Sequence, residues 1–517
     1  MRLASLSRKD QVLPPLSLSY ARAMQLRPQH LSAKGFSVYA GLVLLGLAIF
    51  PLYQALQTGG YLFYTTGMDE ASHLSFSYAE YVANHSGRMR YSSHLVTILH
   101  RFGISGGYIN LILDLTCALC TLLLVRGVFV KFGYSKPQAR SGALLLFLLP
   151  LLFTPFNPVV SLLSSLHFDP QIMKWISMPW NPEIPLLRSP EPQMSWLLIA
   201  ATLWVTAGSQ AAPLALLAIS PLLYSFVQLP LIFVSAVLVF GQKARLSLRL
   251  LTSFGLCGVL MLVFLTYGTD PNLPKFFIFS SLPLIPFSGV LSLALYLLIQ
   301  DHVPRSSRPL LIALVCSTWA VANAQLVSGY LVPPVNFENY WGVMVLSFLA
   351  TMGILHRSED PRGWVGFSVL LFGAFSVATF AFNHSVSARL AHPREVLPLL
   401  AQNSTRVACN DLYLTTYLDL VYPRQQPTTF SWTRTLDISS DANYQNYLCD
   451  KQSLQSFHSS SQPLFDHLFV ALDEGFISRG SDMFMSLGRQ NIPTFAPQPS
   501  TATTECASHE LLIVPTY

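Results

Sequence analysis

Residues 36–56 read FSVYAGLVLLGLAIFPLYQAL, a run without one charged side chain. A helix rises about 1.5 Å per residue, so roughly 20 apolar residues cross the ~30 Å hydrocarbon core of a bilayer. The run therefore predicts a membrane-spanning helix. Ten more candidates follow at 108–130, 141–157, 194–208, 211–226, 228–241, 248–267, 277–299, 309–328, 341–356 and 363–382. Those between 194 and 241 are short and carry Pro213, Pro221 and Pro230, so a re-entrant pair fits them as well as separate spans. Only 11% of the 517 residues are charged, 52% are hydrophobic, and mean hydropathy is +0.45. Soluble domains carry about 25% charged residues, so much of this chain is expected to be solvated by lipid. The expected fold class is an all-α polytopic membrane bundle of about 11 transmembrane helices.

Lysine and arginine orient such a bundle, because short cytoplasmic loops are enriched in them. Segment 1–35 holds Arg2, Arg8, Lys9, Arg22, Arg27 and Lys34, and no cleavable signal is read there, so the first run is expected to be retained. Alternate loops add Arg126, Lys131, Lys136 and Arg140, then Lys243, Arg245 and Arg249, then Arg305, Arg308, Arg357 and Arg362. The opposite loops, though longer, hold only Arg88, Arg90, Arg101, Lys174, Arg188 and Lys275. The N-terminus is thus expected to be cytoplasmic. The net charge of +6 is explained by this sorting, which gives no reason to expect a nucleic-acid partner. Acids run the other way: Asp69, Glu70, Glu80, Asp169, Glu183, Glu191, Asp270 and Glu338 all fall in expected outside loops. Topology does not require that bias, so it points to binding or chemistry at the outer face.

The spans and their loops make up residues 36–384, with long outside loops at 57–107 and 158–193. Residues 385–517 are polar, contain no span and lie outside after eleven crossings. Short apolar runs alternate there with helix-like stretches, which predicts a small α/β extracytoplasmic domain. Cys409, Cys449 and Cys506 fall in it, where an oxidising compartment would permit one disulfide. Cys117 and Cys120 form a C-x-x-C inside a lipid-length run, without the second pair a metal site needs.

The first long loop opens as TTGMDEASHLSF at 65–76. Leu74, Tyr78, Tyr81 and Val82 recur at helical spacing, predicting an amphipathic helix on the membrane surface, with Asp69 and His73 four apart on one face. Two acids at a helix start complement its dipole, and that alone is one account of Asp69 and Glu70. The other account makes a carboxylate the general base that takes a proton from an acceptor hydroxyl as its oxygen attacks a sugar carbon. A leaving lipid-linked phosphate would need a cation, and Arg188 stands immediately before a span on the outside, either as that cation or as a headgroup anchor. Lys174, Arg88, Arg90 and Lys275 are further candidates. In NAQLVSGYLVPPVNFENYW, 323–341, Asn323 and Gln325 lie in or near lipid and are expected to face the bundle interior, as helix–helix hydrogen bonds or substrate ligands. Glu338 and Tyr340 are expected to point from a short loop into the same outside volume. Asp114, inside the second span, needs a partner or a water-filled cavity.

An acid pair in the first long outside loop resembles the GT-C superfamily, integral membrane glycosyltransferases that use polyprenyl-phosphate sugars. The resemblance extends to about eleven spans, a second outside loop with an arginine and a C-terminal extracytoplasmic domain. The stretch at 323–341 is similar to uncharacterised bacterial proteins of GT-C-like architecture, departing from them in Asn336 and Glu338 where a histidine is expected. The resemblance implies a bacterial inner (plasma) membrane location. It also implies Asp69 as catalytic base, Glu70 as its partner or as a ligand to the acceptor or a metal, and Arg188 on the donor phosphate. Superfamily members differ in using a divalent cation (Mg2+ or Mn2+), and these residues do not decide it. The implied partners are membrane lipid, a polyprenyl-phosphate sugar donor and a glycan, lipid or protein acceptor. Two other functions fit the composition: a transporter or flippase of a lipid-linked or amphiphilic substrate, and a non-catalytic membrane assembly subunit.

Overall fold

The computed structural model describes residues 30–60, 62, 64, 74, 91–153, 176–177, 185–188, 190–206, 211–241, 255–256, 258, 278–279, 283–303, 307–324, 326, 330–331, 334–389, 406–409 and 511–514. Helix dominates. The first helix, α1 (Ala33–Gln57), starts where the Ser32 side chain accepts the Gly35 amide at 3.0 Å, and it ends at Thr58 before Gly59 and Gly60, both at positive φ. A short helix, α2 (Tyr91–Arg101), turns at Gly103 into α3 (Gly106–Lys131). A capping box between Ser135 and Gln138 begins α4 (Lys136–Leu148), and α5 (Pro150–Phe153) follows it. Further on come α6 (Gln193–Thr206), α7 (Ala212–Ile219) with a 3-10 turn through Leu222, and α8 (Ser225–Gly241). The last helices are α9 (Phe287–Ile299), α10 (Arg308–Ala322), α11 (Pro334–Phe337), a π-helical turn (Glu338–Gly342), α12 (Val343–Arg357) and α13 (Pro361–Arg389). Three two-stranded pairings involve β1 (Ile176–Ser177) with β3 (Ile285–Pro286), β2 (Ile278–Phe279) with β4 (Tyr330–Leu331), and β5 (Arg406–Cys409) with β6 (Leu511–Val514).

Among the described residues, three helices are long and apolar enough to cross a membrane: α1, α3 and the Pro361–Ala381 part of α13. Their surfaces behave accordingly. On α1, Phe36, Ala40, Val43 and Pro51 are buried, yet Val38, Leu42, Leu45, Ile49 and Leu52 on other faces are exposed. A helix apolar on both its packed and its bare faces suits lipid, not water. The core lies where α4, α8, α10 and α12 meet the flanking helices, around Val227, Leu311, Leu349 and Leu144. Among the described residues, the loops that carry Lys131 and Arg357, both expected on the inner side, meet each other. There Lys131 lies over the Trp204 ring at 5.2 Å, Arg357 donates to the Leu298 carbonyl at 2.9 Å, and Tyr134 Oη meets His356 Nε2 at 2.9 Å.

Several expected spans change shape. The 277–299 run is helical only from Phe287; before it, β2 and β3 pair with other segments, because Pro283 and Pro286 prevent the helix from extending backward. The 309–328 helix stops at Ala322. The segment before 341 is helical from Pro334, so Glu338 and Tyr340 stand on a helix and not on a short loop. Pro221 ends α7 as its ring dictates, whereas α8 runs through Pro230. Loop 57–107 contains α2, which packs along α3. The 248–267 span lies almost wholly outside the described residues. Of segment 385–517 the structure describes the end of α13 and the parallel β5–β6 pair, with Arg406 opposite Leu511 and Cys409 opposite Val514.

Candidate functional site

The site is set by where α6 begins. Gln193 Nε2 donates to Asp114 Oδ1 at 3.2 Å, and at the other end of α6 the Trp204 carbonyl accepts from Lys131. The 14 residues of α6 make about 21 Å of helix, well short of the ~30 Å hydrocarbon core. Asp114 stands eight residues, or about 12 Å, below the head of α3 at Gly106. The turn preceding α6 is therefore sunk within the length of α3, and it carries charged residues. Asp114 is 7% exposed, and in Gln193 it has the partner that a carboxylate at that depth requires.

Arg188 is completely buried in that turn. Its Nη1 donates to the Glu191 carbonyl at 2.9 Å, and its guanidinium carbon lies 4.7 Å from the centroid of the Tyr340 ring. A guanidinium is weakly hydrated and delocalised, and an aromatic face attracts it most strongly where water is excluded. Tyr340 is fixed in turn by an edge contact with Tyr224 at 5.7 Å and by Phe226 at 6.2 Å. Three residues past Arg188, the buried Glu191 carboxylate accepts the Ser195 hydroxyl at 2.6 Å. Ser195 Oγ also accepts the Tyr224 amide at 2.8 Å, tying the start of α6 to the start of α8. Trp196 stacks on Trp341 at 5.5 Å, and Trp341 Nε1 reaches Ser317 of α10 at 2.8 Å. One buried cation thus shares the turn before α6 with the buried Glu191, in an aromatic frame where four helices meet.

Glu338 belongs to a different face. Residues two apart on a helix diverge by about 200°, so Tyr340 turns toward Arg188 while Glu338 turns toward α9. Its Oε2 accepts the Ser288 amide at 3.0 Å, capping the N-terminus of α9 with a negative charge as the helix dipole favours. Its Oε1 is buried without a hydrogen-bond partner among the described residues. Asn323 sits at the C-cap of α10 and grips the Leu284 backbone twice, accepting its amide at 2.7 Å and donating to its carbonyl at 2.9 Å.

Of the residues singled out in the sequence, Arg188 and Tyr340 are brought into contact, and Asn323 and Glu338 secure the entry to α9. Arg188 is no headgroup anchor, being interior. Asp69, Glu70, His73, Arg88, Lys174 and Gln325 lie outside the described residues. The chain is nonetheless pinned close to them in sequence: His100 Nε2 meets the buried Leu74 carbonyl at 2.7 Å, and burial holds this imidazole below its ordinary range. Among the described residues no three His, Cys, Asp or Glu side chains converge as a metal site. Glu191 was named only as one of eight outward acids, and Ser195 and Gln193 were not singled out. The signal available for the first two was their spacing, since acid and hydroxyl four apart share a helix face. The chain matches no protein-family model, no curated protein and no solved structure.

Proposed function

We propose that this chain is a membrane glycosyltransferase of the GT-C type, moving a sugar from a polyprenyl-phosphate-linked donor to an acceptor hydroxyl at the outer face. The observation that carries this reading is the buried Arg188, held on the Tyr340 ring in the turn before α6. An arginine in that setting is suited to a phosphate that arrives on a lipid tail. Asp69 takes the proton of the acceptor hydroxyl while that oxygen forms the new bond to the anomeric carbon. The bond from that carbon to the phosphate oxygen breaks, its electron pair leaves with the polyprenyl phosphate, and configuration inverts. Glu70 positions Asp69 or the acceptor; where a divalent cation takes part, Glu70 is the residue that would hold it. Asp69→Asn and Glu70→Gln, assayed as surface glycan or glycolipid in cells, are expected to lose activity by about 100-fold or more at normal protein abundance. Full activity in both variants would sink the mechanism.

A transporter of a lipid-linked substrate is the second reading, favoured by the Asp114–Gln193 pair within the length of an apolar helix. It predicts that Asp114→Asn abolishes transport of the substrate while Asp69→Asn leaves it intact.

A further inference from the structure

Only one oxygen of the Glu338 carboxyl group is used at the head of α9. The residue is 2% exposed; Oε2 accepts the Ser288 amide at 3.0 Å, and Oε1 has no hydrogen-bond partner among the described residues. A helix dipole favours a carboxylate by at most about 2 kcal/mol, whereas burying an unpaired ion costs several kcal/mol. Burial therefore wins unless a cation stands close, and among the described residues none does. Helices α8, α9, α10, α11 and α12 pack against the turn that carries Glu338. Neither α8 nor α11 holds a titratable side chain. On α9 the only such group is Tyr296, about 12 Å along the helix from Ser288. On α10, Cys316 is exposed and Arg308 stands at the far end, about 20 Å from Ala322. On α12, His356 and Arg357 lie about 20 Å beyond Gly342. Tyr340, in the same turn, faces away toward Arg188.

We propose that Glu338 is a proton-binding site: Oε1 carries a proton while α9 is seated on the π-helical turn, and releases it to water when that seam opens. Oε2 already faces an N–H, so Oε1 is the oxygen that takes the proton, and a neutral carboxyl keeps Oε2 as an acceptor. One proton moves between water and the carboxylate, and no other bond changes. Glu338 precedes the expected 341–356 span, and burial pushes its carboxyl from the ordinary 4.5 up to about 7, into the neutral range. The seam is tight: a Cβ on Gly342 would lie 2.6 Å from Ser288 Cβ, so an ionised carboxylate reaches water only when α9 moves off the turn. Turns of π-helix are frequent at functional sites, and this one carries Glu338 on one face and the Tyr340 ring beneath Arg188 on another. Proton release on the first face thereby reaches the arginine on the second. The inference stands whether or not the chain transfers a sugar.

Melting the full chain and Glu338→Gln in phosphatidylcholine nanodiscs, between about pH 5 and 8, tests it. The folded carboxyl holds its proton more tightly than the unfolded one, so its contribution is full below about pH 4.5 and is lost as pH rises through about 7. Glutamine is the neutral isostere of the protonated acid and does not titrate. The two chains should therefore melt alike near the acid end, and the variant should melt higher at the alkaline end. The gap is expected to correspond to a change on the order of 100-fold in the folding equilibrium. Amide exchange at the start of α9, corrected for its intrinsic pH dependence, should rise over the same window in the unaltered chain and not in the variant. A difference in melting that ignores pH, or exchange at α9 that ignores the substitution, would overturn the proposal. So would a Glu338→Gln chain that fails to fold, because that substitution mimics the form proposed to seat α9.

Discussion

Arg188→Ala is expected to lower stability by about 3–5 kcal/mol, the range seen when one member of a buried charged network is removed. The guanidinium is fully buried, so two terms are lost together: the contact with the Tyr340 face and the charge-assisted bond to the Glu191 carbonyl. A desolvated cation–π contact is worth about 2 kcal/mol and a hydrogen bond from a charged group about 1.5–3 kcal/mol, so the sum reaches the expected loss before the cavity is counted. Arg188→Met separates packing from charge. It refills the volume, should recover part of the melting temperature, and should still lose binding of decyl phosphate. Arg188→Lys keeps the charge but not the flat face, and is expected to fall between the two. In a double-mutant cycle with Tyr340→Leu, the coupling should be about 1–2 kcal/mol. Melting curves within error of the unaltered chain for Arg188→Ala, together with undiminished phosphate binding, would show that this arginine neither supports the fold nor serves a ligand.

The long spans were legible because a lipid-length apolar run leaves few alternatives. The 36–56 run becomes α1, the 108–130 run becomes α3, and the 363–382 run lies within α13. The shorter elements were less so. Residues 277–286 are as apolar as a span, but hydropathy ignores the two prolines that bar helix and free the backbone to pair with 330–331 and 176–177. The π-helical turn at Glu338–Gly342 leaves no periodic trace, so a helical segment reads there as a loop.

At the site, the sequence marks which residues carry unusual charge but not how deep they lie. Arg188 directly precedes an apolar run, and that position reads as the membrane surface; only the meeting of Gln193 with Asp114, 79 residues apart in the chain, sinks the turn into the bundle. The same depth turns Glu191 from one outward acid among eight into a buried carboxylate with a dedicated serine. Glu338 and Tyr340 look like neighbours in sequence, yet a helical backbone sends their side chains to different faces.

Gly342→Ala is expected to destabilise the protein by about 2 kcal/mol, although alanine favours a helix over glycine by about 1 kcal/mol. The backbone is ordinary helix there, so strain is not the cause. A Cβ on Gly342 would lie 2.6 Å from Ser288 Cβ and 3.1 Å from Glu338 Oε2, and closer still to Ser288 Oγ. The Ser288 Cβ is fixed to its backbone and cannot rotate away, so α9 and α12 must separate where a small residue lets them touch. Separation also stretches the 3.0 Å bond from the Ser288 amide to Glu338 and shifts the helix that carries Tyr340 beneath Arg188. Ser288→Gly removes the opposing Cβ, and the double variant is expected to regain most of the lost melting temperature. It should stay slightly below the unaltered chain, because glycine in the first turn of α9 favours a helix less than serine does. Equal destabilisation by Gly342→Ala with and without Ser288→Gly would show that the two helices do not meet at this point.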